Sequence, residues 1–250
     1  MSRIIGIVSG KGGVGKTTLC AGLGFALADR NKNVIAIDGD IGLKNLDILL
    51  GMSDNTAYDL TDILNGRCTV SKAIQVNHHY DRLHFISASQ NAAAEDIDRK
   101  AFRRLCNHLR LYYDYVLIDA PAGLGSGFKN IIESCDECII VATSDLTSIR
   151  DAQKTADVVS EMPGVNAHLV LNKISPSMIS KGYLDNIDDI IDSISVPLLG
   201  MIPCDDSVVI YSNLGKPIID TKSVCAGPVY NIAGRLAGEN VPLDKYWRKK

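Results

Sequence analysis

The sequence predicts an α/β fold: a doubly wound, mainly parallel sheet with helices on both faces. Three observations carry this. Short apolar runs alternate with helix-like stretches from one end of the chain to the other. Most of those runs are near-continuous in Val, Ile and Leu, as in strands covered on both faces. The first run also enters a helical pattern through a glycine-rich loop.

In chain order, RIIGIV from Arg3, NVIAI from Asn33, RLHFIS from Arg82, YYDYVLI from Tyr112, ECIIVA from Glu137, AHLVLN from Ala167 and PLLGMIP from Pro197 read as strands. Helical patterns cover 17–30, 59–64, 97–111, 127–134, 148–161, 184–193 and 223–236. No repeat, low-complexity segment or linker interrupts the alternation. Residues 1–238 are therefore expected to form one domain, with 239–250 as a short basic and aromatic tail.

Bulk properties narrow the function. The chain has 250 residues and a net charge of −3, with acids and bases interspersed. That argues against a whole-surface nucleic-acid binder. No apolar run approaches the roughly 18 residues of a membrane span, and the opening MSRIIGIVSG is too soon interrupted for a signal peptide. Seven scattered cysteines, an odd number, suit a reducing cytosol better than a disulfide framework.

The loop GKGGVGKT, from Gly10 to Thr17, fits the phosphate-binding pattern G-x-x-x-x-G-K-[ST]. Gly10, Gly12, Gly13 and Gly15, with Val14, let backbone N–H groups converge on phosphate oxygens, and the helix that starts near Thr17 and Thr18 adds its positive end. Lys16 is placed to reach the β and γ phosphates, and the Thr17 hydroxyl to ligate Mg²⁺. Asp119 ends the strand in YVLIDAPAG, where a carboxylate can organise the metal. Asp38 and Asp40 follow NVIAI; two apart on an extended chain, they face the same way, and one of them could position the attacking water. Lys11 is left open by the residues alone, between a solvated charge at the loop's outer edge and a working group.

The string KGGVGKT resembles the deviant Walker A motif of the MinD/ParA class of ATPases. The resemblance implies a P-loop NTPase fold of the SIMIBI type, ATP and Mg²⁺ as cofactors, and hydrolysis to ADP and phosphate. It also implies that Lys11 crosses a dimer interface to the partner's ATP, where it would supply positive charge to the transition state. DGDIGLKNLD is similar to the class's first switch segment, which makes Asp40 the catalytic carboxylate, Asp38 a supporting metal position and Asn45 a nucleotide contact. DAPAGLGSG is similar to the second switch. Asn172 in LVLNKI, and Pro203, Cys204 and Asp205 in MIPCDDS, resemble the adenine pocket.

GLKNLDILLG, AYDLTDILNGRCTVSKAI, LHFISASQ, TSIRDAQ and PVYNIAGRL extend the resemblance to the MinD family of septum-site ATPases over residues 1 to about 238. It implies an ATP-dependent homodimer, a MinC-like division inhibitor recruited to the membrane, a MinE-like activator in some species, and a cytoplasmic protein that is peripheral on the inner face of the membrane when ATP is bound. The tail departs from the family's longer amphipathic helix. Leu243, Tyr246 and Trp247 form one short apolar stripe, with Lys245, Arg248, Lys249 and Lys250 beside it. Four cations are worth at most about 4 kcal/mol on an anionic leaflet, so one tail is a weak anchor and two on a dimer a better one. A flagellar-number regulator of the FlhG type and a ParA-type DNA-partitioning ATPase share the chemistry and are the alternatives. Cys135 and Cys138, a CxxC half-site, read as core residues, and His78 and His79 as solvated.

Overall fold

The computed structural model describes residues 2–42, 45–52, 57–89, 97–175, 181 and 187–243. The chain begins with β1 (Arg3–Val8), α1 (Lys16–Asp29) and β2 (Val34–Asp38), followed by three short helices, α2 (Leu46–Leu49), α3 (Leu60–Leu64) and α4 (Val70–Ala73). Next come β3 (Gln75–Val76), β4 (Leu83–Ile86), α5 (Arg99–Leu109), β5 (Tyr115–Asp119), α6 (Ser126–Ile132), β6 (Glu137–Ala142), α7 (Leu146–Ser160) and β7 (Asn166–Ile174). The last part contains α8 (Ile187–Ile194), β8 (Leu198–Pro203), α9 (Ser207–Asn213), a 3₁₀ turn (Ile218–Asp220) and α10 (Ala226–Leu236). One eight-stranded sheet runs β3-β4-β2-β5-β1-β6-β7-β8, parallel except where β3 pairs antiparallel with β4.

The predicted fold class is therefore observed. All seven predicted strands form; the edge strand β3, only two residues long, has no pattern to announce it. The helices α2 and α4 also lack a sequence signal because each is about one turn, too short for a 3.6-residue period to repeat, and α9 lacks one because it buries no residue. The first three residues of the predicted 184–193 helix, and tail residues 244–250, lie outside the described residues.

Both faces of the sheet are covered, which is why its strands are apolar throughout. Ile4, Ile35, Val116, Ile118 and Ile140 pack with Phe102, Phe128 and Ile149 on one face. Their neighbours Ile5, Ala36, Leu117 and Ile139 pack with Leu23, Phe25, Val229 and Ile232 on the other. Helix α1 is buried on nearly every side because it lies between the sheet and α10. Local signals set the helix starts: Asp59 and Asp62 make a reciprocal capping box on α3, Asp98 accepts from Ala101 N on α5, and Asp145 accepts from Ser148 N on α7.

At the amino-terminal edge of the sheet, Arg3 forms an ion pair with Glu137, and His168 Nε2 lies 3.4 Å from the same carboxylate. Burial pushes the Glu137 carboxyl up, but the hydrogen bonds and charges of His168 and Arg3 outweigh it and hold the pKa at about 2. A depressed carboxylate stabilises above its unfolded pKa and loses that contribution as pH falls. Glu137→Gln should therefore be less stable than the native chain by about 2–3 kcal/mol at pH 7 in urea unfolding. The gap should shrink below the ordinary glutamate value of 4.5 and close near pH 2.

The α10 helix rests on β8 at Gly200, where an added Cβ would lie 2.4 Å from Ile232 Cγ1. Gly200→Ala should cost about 1–3 kcal/mol in thermal unfolding by forcing α10 off the sheet. Gly227→Ala, with nothing within 4 Å of the new Cβ, should be neutral or stabilising by up to about 1 kcal/mol.

Candidate functional site

Strand β1 stands where the strand order reverses: β5 and β2 lie on one side of it, β6, β7 and β8 on the other. The carboxyl ends of parallel strands at such a point frame a crevice. The loop that leaves β1 is held by Ser9, whose Oγ donates to Lys11 O at 2.9 Å and whose carbonyl accepts from Gly123 N at 3.0 Å. Gly13 and Gly15 have φ of 79° and 93°. Gly10 passes so close to α7 that a Cβ would lie 2.7 Å from Asp151 O. Val14 turns its side chain into the core beside α1.

Among the described residues, no backbone N–H from Gly10 to Gly15 donates to a backbone carbonyl. Helix α1 begins without a side-chain cap and without an acid in its first turn. A run of unengaged N–H groups leading into an uncapped helix N-terminus is an anion site.

Lys16 lies beneath this loop and is 6% exposed; its Nζ donates to Asp119 Oδ1 at 2.7 Å, and Asp119 is 1% exposed. Burial raises the Asp119 pKa; the Lys16 ammonium and the Thr17 hydroxyl pull it back, and the result is still above the ordinary value. The other oxygen, Oδ2, is buried without a well-formed hydrogen bond. The register of β2 against β5 sets Asp38 directly beside Asp119. Asp38 accepts from Asp40 N at 3.1 Å and Leu46 N at 3.2 Å. Burial first, and then the Asp119 charge, nevertheless lift its pKa to about 7. Two adjacent buried carboxylates, one of them with an unsatisfied oxygen, fit a divalent cation beside Thr17.

Asp40 is half-buried, two residues along; burial raises its pKa and Lys16 opposes the rise. It lines a cavity of about 590 Å³ together with Gly12, Gly13, Gly15, Lys16, Thr17, Thr18 and Asn45. Asn172, Pro203, Cys204 and Asp205 line the same cavity. Residues of the glycine-rich loop, of the segment after β2 and of the ends of β7 and β8 thus share one volume, large enough for a nucleoside phosphate.

Three side-chain placements go beyond what the sequence states. Asn172 gives its amide to the loop, with Nδ2 donating to Val14 O at 2.8 Å and Oδ1 accepting from Lys173 N at 2.8 Å. The Asp205 carboxylate faces its own loop: Oδ2 accepts from Ser223 Oγ at 2.6 Å and Val224 N at 3.1 Å, and Oδ1 from Ser207 N at 2.9 Å. These bonds, that from Ser223 foremost, hold its pKa at about 2. Lys11 stays out of the cavity; its Nζ reaches Thr147 Oγ1 at 3.1 Å and Asp145 Oδ1 at 3.3 Å on the flank of α7.

The structure also adds residues that the sequence did not single out. Lys173, Val208, Val209, Ser212, Cys225 and Val229 line the same cavity. They come from β7, α9, α10 and the residue that caps α10, separate stretches that only the folded sheet edge brings together. Cys135 and Cys138 are buried beside Gly6, and among the described residues no group of three or more His, Cys, Asp or Glu could hold a metal by itself. His78 and His79 are exposed. No described helix is long and apolar enough to cross a membrane.

Comparison with known proteins agrees with this geometry. Residues 5–218 match the CobQ/CobB/MinD/ParA nucleotide binding domain. The chain is 37% identical to the septum site-determining protein MinD of Synechocystis sp. over 97% of this chain and 92% of that protein. It superposes on the MinD of an Aquifex aeolicus MinC:MinD cell division protein complex with a TM-score of 0.91, at 35% identity, covering 98% of this chain and 100% of that one. The MinD of Pyrococcus horikoshii, solved with Mg-ADP, gives a TM-score of 0.84 at 29% identity, covering 94% of this chain and 96% of that one. With a family model matched over most of its length and relatives above one-third identity over nearly all of it, the chain belongs to the MinD family of septum site-determining nucleotide-binding ATPases.

Proposed function

We propose that the protein is an ATP-driven dimerising switch that carries a MinC-like division inhibitor to the membrane. The observation that carries the nucleotide part is the open row of N–H groups from Gly10 to Gly15 above the buried Lys16. Those donors would cradle the phosphates, with Lys16 as their countercharge. Mg²⁺, for which Thr17, Asp38 and Asp119 are the fitting residues, would neutralise charge on the phosphate oxygens. Asp40 lines the cavity half-buried, and this supports it as the group that orients the attacking water. Asn45, Asn172 and residues 203–205 would enclose the rest of the nucleotide, Asn172 chiefly by holding the loop. That the Pyrococcus horikoshii relative was solved with Mg-ADP supports the cofactor assignment.

Lys11 is exposed and held away from the cavity. A lysine turned outward can meet a second chain, and this supports action across a dimer. The reading takes residues 1–238 as one ATPase domain and 239–250 as a tail that touches anionic lipid when two copies are joined. The Aquifex aeolicus complex supports a MinC-like partner; a MinE-like activator would speed hydrolysis by ordering Lys11 and Asp40.

Lys16→Ala should lose Mg-ATP binding, and Lys11→Ala should bind Mg-ADP as a monomer yet fail to dimerise on ATP; light scattering with each nucleotide reads both. Asp40→Ala should still dimerise on ATP while phosphate release falls about 100-fold or more. Turnover at the native rate would remove Asp40 from the mechanism.

Sedimentation with anionic vesicles tests the tail. Binding should require ATP and should vanish in a chain ended after Leu243, a cut that spares the contacts of residues 239–242. Equal sedimentation of the shortened chain would place lipid contact elsewhere.

A further inference from the structure

Strand β7 departs from regular pairing where it meets the phosphate loop. Its register against β8 shifts between Leu171 and Ile174, and between them Lys173 takes a left-handed conformation, φ 55°. A lysine gains nothing from that conformation and bears a backbone cost for it. Ile174 then rejoins the sheet, buried, with its carbonyl accepting from Cys204 N at 2.9 Å. The irregularity turns two side chains toward the loop. Asn172 Nδ2 donates to Val14 O at 2.8 Å, and Lys173 Nζ donates to Gly13 O at 2.7 Å.

These acceptors are consecutive carbonyls of the loop whose N–H groups remain unengaged. Each carbonyl shares one planar peptide with the next residue's N–H: Gly13 O with Val14 N, and Val14 O with Gly15 N. A donor on the oxygen draws electron density toward it and makes the N–H at the other end a stronger donor. The Lys173 bond is charge-assisted, so its effect exceeds that of the neutral amide. It also holds Gly13, a residue with a left-handed φ of 79° and no side chain to fix it.

We infer that Lys173 is a positioning residue of the nucleotide site: its ammonium grips the phosphate loop at the Gly13 carbonyl and strengthens the Val14 N–H toward phosphate. The inference rests on the nucleotide reading proposed above and adds a residue to it. Lys173 acts through the Gly13–Val14 peptide and is not assigned a contact with the reacting atoms. Its consequence is slower loss of the bound diphosphate, because the loop cannot open without breaking this bond.

The test is the release of a fluorescent ADP, with Mg²⁺ present, from the intact native chain and three variants, followed by stopped flow. Lys173→Met, which keeps the stem and removes the charge, should release ADP about 5- to 10-fold faster. Lys173→Arg, which restores a charged donor, should stay within about twofold of native. Lys173→Gly separates backbone from charge: it relieves the left-handed conformation and should melt no lower than native, yet release ADP as fast as the Met variant. Native release from Lys173→Met overturns the inference, as does native release from Lys173→Gly. A native chain that binds no Mg-ADP would instead overturn the nucleotide reading, and this inference with it.

Discussion

The buried ion pair of Lys16 and Asp119 is the contact around which this sheet edge is organised. Both groups are more than nine-tenths buried, and a 2.7 Å bond joins them. Such a pair adds little net stability, because desolvation offsets most of the attraction, whereas losing one partner strands the other. Its presence must be earned by something other than stability. It keeps a full positive charge beneath an open row of N–H donors, and it puts a carboxylate at the end of β5 directly beside Asp38. β5 has to lie between β1 and β2 for both contacts to exist. Asp38 feels the cost, with its pKa lifted to about 7. A divalent cation at this point would take over the charge balance and free Lys16 for phosphate.

The loop above this pair is restrained from outside as well as from below. Gly10 touches the α7 backbone, Gly15 leaves no room for a side chain against Asn172, and Asn172 and Lys173 hold successive carbonyls. Asn172 and Lys173 bond carbonyls, which point away from the N–H of the same peptide and leave it free. The donors are therefore set in place before a ligand arrives, so that less ordering entropy is lost on binding. Helix α7 and strand β7 supply much of that rigidity.

Much of this was legible before the fold was seen, for reasons that can be named. Strands buried on both faces write themselves as runs of Val, Ile and Leu, and ECIIVA became β6 to the residue. A phosphate loop must spell its glycines and Lys16 in one short string, because the ligand touches consecutive residues. What could not be read comes from pairing. The neighbours Asp38 and Asp119 are separated by most of a domain half, and only the β2–β5 register joins them. Lys11 meets Asp145 and Thr147 because α7 passes the loop, a fact of packing with no local signature. Asn172 was visible as a residue at a strand end; that its amide holds Val14 became visible only with the irregularity in β7. Helix α9 was missed because two turns with no buried residue carry no periodic pattern.

The opposite edge of the sheet constrains how the proposed membrane step can depend on nucleotide. Arg3 donates to Leu236 O, Arg235 to Val241 O and Pro242 O, and Arg30 pairs with Glu239. Arg3 opens β1, and Arg235 also bonds Leu199 O near the start of β8. The chain leading to Leu243 is thus stapled to the amino ends of the strands, whereas the phosphate loop leaves from a carboxyl end. A strand of six residues spans about 20 Å, and among the described residues none that lines the cavity is one of these staples. A direct pull from the nucleotide on the tail would have to pass through a packed sheet. The proposed dimer would need no such path: joining two chains at the loop face would bring two weak tails to one surface, and the second would bind at high local concentration. In the proposed function, ATP would therefore control membrane contact through the number of tails brought together.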